Sequence, residues 1–224
     1  MRLDREAWAR QLPLSTFVNG YYQVRDVTDL PDCRRMLLIG PGQGLVVPIF
    51  RWRGYSVETF DIDETFSPDH LGSVHDLSRF ADRQFDVIIA SHVLEHLAEP
   101  YLDAALAELA RVGRYSVIYL PVAGRSAAVR LEPGVLNIDW QLRVNVFNYF
   151  ARPDGVTRRY AGGEHYWEVG RRGFRARDVR KRMEQFFAIL REYRNRDWLP
   201  SYNFVLEART DRVPIEATML RGQS

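Results

Sequence analysis

Gly40-Pro41-Gly42-Gln43-Gly44 follows the apolar run Arg35 to Ile39 and leads into Leu45 to Trp52, a stretch that reads as a helix. A glycine-rich bend at the carboxyl end of a buried strand is where open α/β sheets take their ligands. Glycine permits positive φ and close approach to the backbone, and a helix start offers unpaired N–H groups. The next apolar run, Val57 to Ile62, ends in Phe60-Asp61-Ile62-Asp63. A carboxylate at that tip would accept from the two hydroxyls of a ribose. Asp61 can equally be a helix cap or loop acid, and Asp63 is the weaker candidate. Val74-His75-Asp76-Leu77 offers an acid able to accept from an exocyclic amine such as adenine's, or simply a turn residue. Ser91-His92-Val93-Leu94-Glu95-His96-Leu97 comes after the run Asp86 to Ala90, at the mouth where the reacting end of a ligand would lie.

A second group stands apart. His165 lies in Gly162-Gly163-Glu164-His165-Tyr166-Trp167-Glu168-Val169-Gly170, where carboxylates, aromatics and an imidazole are bracketed by glycines. A histidine, with an ordinary pKa of about 6.5, is the natural base for removing a hydroxyl proton. Aromatic platforms beside it, Tyr166 and Trp167, suit a sugar or another polyhydroxylated ring. Read blandly, the same aromatics are core anchors and His165 is a satisfied hydrogen-bonding residue. His92 is the other candidate base, whereas His96 more simply caps or packs the following helix. Arg158, Arg159, Arg171, Arg172, Arg175 and Arg177 flank the cluster. They would grip an anionic acceptor or form a solvated face.

These residues need a scaffold, and the pattern supplies one. From about residue 34, apolar runs alternate with amphipathic stretches, as in a parallel α/β sheet. The strands expected are Arg35 to Ile39, Val57 to Ile62, a short one near Gly72 to His75, Asp86 to Ala90 and Tyr115 to Leu120. Leu102, Leu106 and Leu109 recur at helical spacing, as do Val179, Met183, Phe186 and Leu190. Ala188 to Tyr193 and Tyr202 to Ala208, with Trp198-Leu199-Pro200 between them, should pair antiparallel. Residues 122–170 fit neither pattern, and so long a connection is usually functional or flexible.

The chain's 224 residues are 46% hydrophobic and 27% charged, enough for one folded α/β domain. Cys33 is the only cysteine, so no internal disulfide or thiolate zinc site is expected, and a cytoplasmic, reducing setting follows. No metal site is expected either. The N-terminus lacks the apolar core of a secretory signal, and no stretch suffices for a membrane span. A net charge of +2, with Lys181 the sole lysine, does not point to nucleic acid.

The run Leu37 to Gly44, then Asp61, then Phe85-Asp86-Val87-Ile88 with Val93 to Leu97, resembles the class I S-adenosylmethionine (SAM)-dependent methyltransferase family, particularly its small-molecule, type 11-like branch. The resemblance covers about residues 34 to 122. The segment around His165, with Phe174 following, is more loosely similar to methyltransferases of bacterial polysaccharide clusters. The family implies a Rossmann-like, mostly parallel sheet of about seven strands with an antiparallel C-terminal hairpin. Its cofactor would be SAM, leaving as S-adenosylhomocysteine. Gly40, Gly42 and Gly44, with Pro41 and Gln43, would line the methionyl part, while Asp61 and Ile62 would meet the ribose. His75, Asp76 and Leu77 would face adenine, with Ser91 and His92 near the sulfonium. Many relatives carry an acid where Leu38 stands, so one hydrogen-bonding anchor is missing.

Other enzymes fit less well. A nicotinamide dehydrogenase resembles its kin in Gly-x-Gly-x-x-Gly, which would need glycine where Leu45 stands. Nucleic-acid amino-methyltransferases carry an Asp/Asn-Pro-Pro-aromatic tetrad, which Ser91-His92-Val93-Leu94 is not. The expectation is therefore a single domain over 1–224, with an N-terminal helical segment 1–33 and an acceptor-side insertion at about 122–170. It would methylate oxygen on a small-molecule, sugar or glycan acceptor, with His165 and His92 as catalytic candidates and Glu164, Tyr166, Trp167 and Arg159 binding the acceptor. The alternatives are a catalytically silent SAM-binding or scaffold protein and an NAD(P)-dependent oxidoreductase. Oligomeric state is left open.

Overall fold

The computed structural model describes residues 12–123, 125–131, 138–144, 158–160, 163–195, 197 and 200–209. After helix α1 (Leu14–Thr28) come β1 (Arg35–Ile39), α2 (Val46–Trp52), β2 (Ser56–Asp61), β3 (His70–Leu71) and β4 (Phe85–Ser91). Helix α3 (Glu99–Val112) runs straight into β5 (Gly113–Pro121). Two antiparallel hairpins follow, β6 (Arg125–Leu131) with β7 (Ile138–Val144) and β8 (Arg158–Tyr160) with β9 (Gly163–His165). Helix α4 (Ala176–Met183), β10 (Phe187–Arg194) and β11 (Ser201–Ala208) complete the described chain.

Seven strands form one sheet in the order β10-β11-β5-β4-β1-β2-β3. Strands β1 to β5 pair parallel, and β11 enters antiparallel between β5 and β10. Strand order reverses at β1, whose neighbours are β2 and β4, so the crevice over its carboxyl end lies between Gly40, Asp61 and Ser91.

Alternation explains why the strand sequences are almost wholly apolar. Side chains of a strand point to opposite faces, and here both faces are covered. Leu37, Ile39, Ile88, Ile118, Leu120, Phe204 and Leu206 pack with Leu102, Leu106 and Leu109 of α3 and Val179 and Met183 of α4. Met36, Leu38, Val87, Ile89, Val117 and Val205 pack on the other face with Tyr22 and Val27 of α1 and Val46 and Phe50 of α2.

The expected strands lie within one or two residues of the observed ones, with one correction. The short third strand is His70–Leu71, and Gly72 to His75 is loop. It belongs two residues earlier because Phe60 and Asp61 of β2 offer ladder partners only to His70 and Leu71. A second correction concerns the stripe from Val179: α4 stops at Met183, and Leu190, 50% exposed, belongs to β10. Trp198 and Leu199 of the expected turn, and residues 1–11 of the N-terminal segment, lie outside the described residues.

Candidate functional site

Backbone conformation defines the bend after β1. Gly40, Gly42 and Gly44 all have positive φ, at 65°, 53° and 68°, a region costing a residue with Cβ roughly 1–2 kcal/mol. Gly40 is doubly constrained. Its N–H donates to the Phe60 carbonyl at 2.9 Å, and a Cβ there would come 2.5 Å from Val93 Cγ2. The bend is thus clamped between the tips of β2 and β4. Helix α2 has no side-chain cap and only seven residues, so the glycine backbone, more than a helix dipole, shapes the hollow.

Asp61 closes β2, half-buried, with Oδ1 accepting the Asp63 N–H at 2.9 Å. Ile62 beside it is exposed. The loop after β3 is held by Arg111, whose guanidinium donates to the Leu77 and Phe80 carbonyls and pairs with Glu108 and Asp82. Two sequence expectations change here, those for Leu77 and Asp76. Leu77 is a core residue whose N–H is taken by Glu108 Oε2 at 2.8 Å, so neither group faces a ligand. Asp76 is exposed and accepts the Ser78 N–H, the arrangement of a turn acid. His75 Nδ1 lies 2.7 Å from Ser73 Oγ, with its ring 4.9 Å from that of Tyr101.

At the tip of β4, Ser91 Oγ accepts from Asn19 Nδ2 at 2.8 Å, which brings α1 into the site. Asn19 Oδ1 is buried among the described residues without a hydrogen-bond partner. His92 follows in the left-handed region, φ 56°, its N–H bonded to the Tyr119 carbonyl of β5. Such strain in a non-glycine residue persists only where its surroundings enforce it. The His92 ring is partly exposed; Nδ1 is 3.4 Å from Glu95 Oε1, and Nε2 is 3.5 Å from Ser201 Oγ.

The His165 cluster folds inward. His165 is 4% exposed, and its Nδ1 meets Glu168 Oε1 at 2.8 Å. Glu168 Oε2 in turn takes a guanidinium N–H of buried Arg171 at 3.2 Å. The Tyr166 N–H donates to the Glu95 carbonyl, pinning this segment to the turn after β4. Trp167 corrects the expected acceptor platform: it is 1% exposed and stacks on Phe174 at 4.8 Å inside the core. An aromatic bracketed by glycines reads identically as platform or anchor until its partner is known. Tyr166 is half-buried against the same core. Arg175 and Arg177 pair with Asp178 at the start of α4. The side chains of Glu164 and Arg159 lie outside the described residues.

Glu95 sits between the two halves, fully buried. Burial, the largest influence, disfavours its anion, yet His92, His96 and His165 together outweigh it and hold the carboxyl below the usual range. Neither Asn19 nor Glu95 stands out in the sequence: one is a polar residue in a helix, the other resembles an N-terminal helix acid.

The chemistry of the residues at the strand-order reversal suits the cofactor that the resemblance implies. A glycine-lined hollow, a carboxylate at the adjoining tip and the buried acceptor Asn19 Oδ1 match a ligand carrying an amino acid end and a ribose.

Residues 37–118 match the family model described as a methyltransferase domain. No curated protein sequence matches the chain. Among solved structures, the PH0226 protein of Pyrococcus horikoshii shares the fold at TM-score 0.57 and 14% identity, covering 90% of this chain and 93% of its own. The CcbJ methyltransferase of Streptomyces caelestis follows at TM-score 0.55 and 12% identity, over 90% of this chain and 98% of its own. The glycopeptide N-methyltransferase MtfA, solved with S-adenosylhomocysteine, has TM-score 0.52 and 10% identity, over 86% of this chain and 90% of its own. Strand order and family model agree: residues 37–118 match a methyltransferase domain, and the chain shares the fold of these solved structures.

Proposed function

We propose that the protein transfers the methyl group of SAM to an oxygen of a small-molecule, sugar or glycan acceptor, with His92 as the base. The observation that carries this reading is the convergence of Gly40, Asp61, Asn19 and His92 at the strand-order reversal. Bound there, the cofactor supplies an electrophilic methyl on a positively charged sulfur. The glycine bend would seat its amino acid portion, Asn19 Oδ1 would accept from its ammonium group, and Asp61 would accept from the ribose hydroxyls. The adenine contact rests with His75 and the half-buried loop around it.

The protein's remaining task is to align an acceptor and take its proton. His92 is the partly exposed imidazole at the β4 tip, and the Glu95 carboxylate behind Nδ1 orients it. Nε2, 3.5 Å from Ser201 Oγ, would then receive the proton from an acceptor hydroxyl. His165, buried on Glu168, shapes the site from behind as a positioning residue.

A nicotinamide oxidoreductase is disfavoured by topology. Dinucleotide folds continue the sheet beyond the fifth strand in parallel, whereas β11 here is antiparallel. Among the described residues no helix is long and apolar enough to cross a membrane, and the single cysteine, Cys33, is buried. A cytoplasmic, single-domain enzyme fits both observations.

The test is a calorimetric SAM titration followed by a screen of hydroxylated acceptors for S-adenosylhomocysteine release. Asp61→Ala is expected to weaken SAM binding about 10- to 100-fold with the fold intact. His92→Ala is expected to keep cofactor affinity and lose about 10²- to 10⁴-fold in turnover. Unchanged binding in Asp61→Ala removes Asp61 from the site. Tight binding with no product from any acceptor favours the silent SAM-binding protein.

A further inference from the structure

Glu95 has an unusual environment for a buried anion. Both carboxylate oxygens are sealed from solvent, and among the described residues neither makes a short hydrogen bond. Its nearest polar neighbours are imidazoles: His92 Nδ1 at 3.4 Å and His165 Nε2 at 3.7 Å, beyond good hydrogen-bond length. A buried carboxylate costs several kcal/mol unless a cation or full set of donors compensates it.

One ligand atom each from Glu95, His96 and His165 lie within 4.8 Å of one another. Zinc held about 2.0–2.2 Å from each of three such atoms would place them roughly 3.4 Å apart. The Glu95–His165 pair, at 3.7 Å, is already close to that. The donor set is two imidazoles and one carboxylate, matched to zinc-class ions and too poor in oxygen for magnesium or calcium. His96 is only half-buried, so the fourth position would open toward water or an acceptor oxygen.

The surroundings have the build of a metal site's outer shell. A metal-bound histidine usually donates its other ring nitrogen to a carboxylate, which fixes tautomer and ring orientation. His165 does this through Nδ1 to Glu168 at 2.8 Å, and Arg171 steadies Glu168. The His165 and His96 rings meet edge to face at 5.1 Å, and the Tyr166 N–H to Glu95 carbonyl bond fixes the two segments together.

We propose that Glu95, His96 and His165 bind one zinc-class divalent ion, with Glu168 orienting His165 and an open coordination position beside His92. Only folding brings residues 95 and 96 to residue 165.

The experiment uses the full chain, stripped with a chelator and titrated with Zn²⁺ alone in a calorimeter, with bound metal counted by mass spectrometry. One zinc per chain is expected, with a rise in thermal midpoint and a visible absorption band when Co²⁺ replaces it. His96→Ala and Glu95→Gln should each weaken zinc binding at least 100-fold while SAM binding is retained. Glu168→Gln should weaken it about 10- to 100-fold. His165→Ala removes a buried ring and risks misfolding, so half-buried His96 carries the decisive variant. Zinc binding below one per chain, unchanged affinity in His96→Ala and Glu95→Gln, or equal affinity for Mg²⁺ would overturn the assignment. All these readouts are independent of methyl transfer, so a failed acceptor screen leaves them intact.

Discussion

Asp26 and Glu95 are both fully buried carboxylates, yet their neighbourhoods are opposites. Asp26, on α1, is saturated: Tyr119 and Tyr193 hydroxyls donate to Oδ2, while Arg25 and Arg191 guanidinium groups donate to Oδ1. Glu95, past the tip of β4, has imidazole nitrogens 3.4 and 3.7 Å away and, among the described residues, no short hydrogen bond to either oxygen. A completed network rigidifies a fold, whereas an incomplete one is expensive unless something else finishes it. Burial of charge alone therefore does not separate structural from functional acids. The count of donors does.

The largest expected effect is on the closed network. Asp26→Ala leaves two buried hydroxyls and a guanidinium without their acceptor, and should cost about 3–5 kcal/mol in denaturant unfolding. A loss under about 1 kcal/mol would mean that the saturated site is not structural after all. Next comes Gly40→Ala, which forces positive φ on alanine and drives a Cβ toward Val93, two residues before Glu95. It should lower SAM affinity roughly 10- to 100-fold, or about 1–3 kcal/mol, in calorimetry. The Asp26 side should be untouched, so a matching collapse in stability would erase the distinction between the two regions.

Alkali should attack the closed region first. Burial, reinforced by Asp197, pushes Tyr22 up to about 12, and burial beside Asp26 raises Tyr119 and Tyr193 as well. Unfolded tyrosine ionises near a pH of about 10. Above that the unfolded chain sheds protons that the folded chain retains, so stability is full below about pH 10 and falls as pH rises toward 12. Tyr119→Phe should flatten this decline in a series of thermal midpoints. A midpoint constant from about pH 9 to 12 would contradict it. The smallest effect belongs to the open network. Glu95→Gln in metal-free protein removes a buried charge whose burial cost the neighbouring imidazoles offset, and should shift stability by less than about 1 kcal/mol, in either direction. A loss as large as that of Asp26→Ala would show Glu95 to be as fully partnered as Asp26.

What could be read in the sequence was what is local. The glycine bend, the acid at the tip of β2 and the long parallel strands depend on neighbours a few residues away, and each lies within two residues of where its pattern places it, whereas the two-residue β3 does not. Helix α1 hid its inner face because that face includes Gln23 and Asp26, which no apolar period reveals. Trp167, open to both platform and anchor readings, and Leu77 take their environment from Phe174 and Glu108, partners that meet them only in the folded chain. Glu95 looks like an ordinary acid before a helix until residue 165 arrives beside it. Side chains that meet across the fold carry no signature in spacing.

Helix α1 reaches Ser91 through Asn19, packs Gly20 within 3.1 Å of Val46 when a Cβ is placed on it, and grips Tyr119 and Tyr193 through Asp26. It precedes every strand of the sheet, yet Tyr193, on β10, lies 167 residues after Asp26. Completing the α1 docking site therefore takes a long-range closure, slow by nature. Until that clasp shuts, α1 is not fully fixed against the sheet, so the contact that carries Asn19 to Ser91 depends on one of the longest-range closures in the fold.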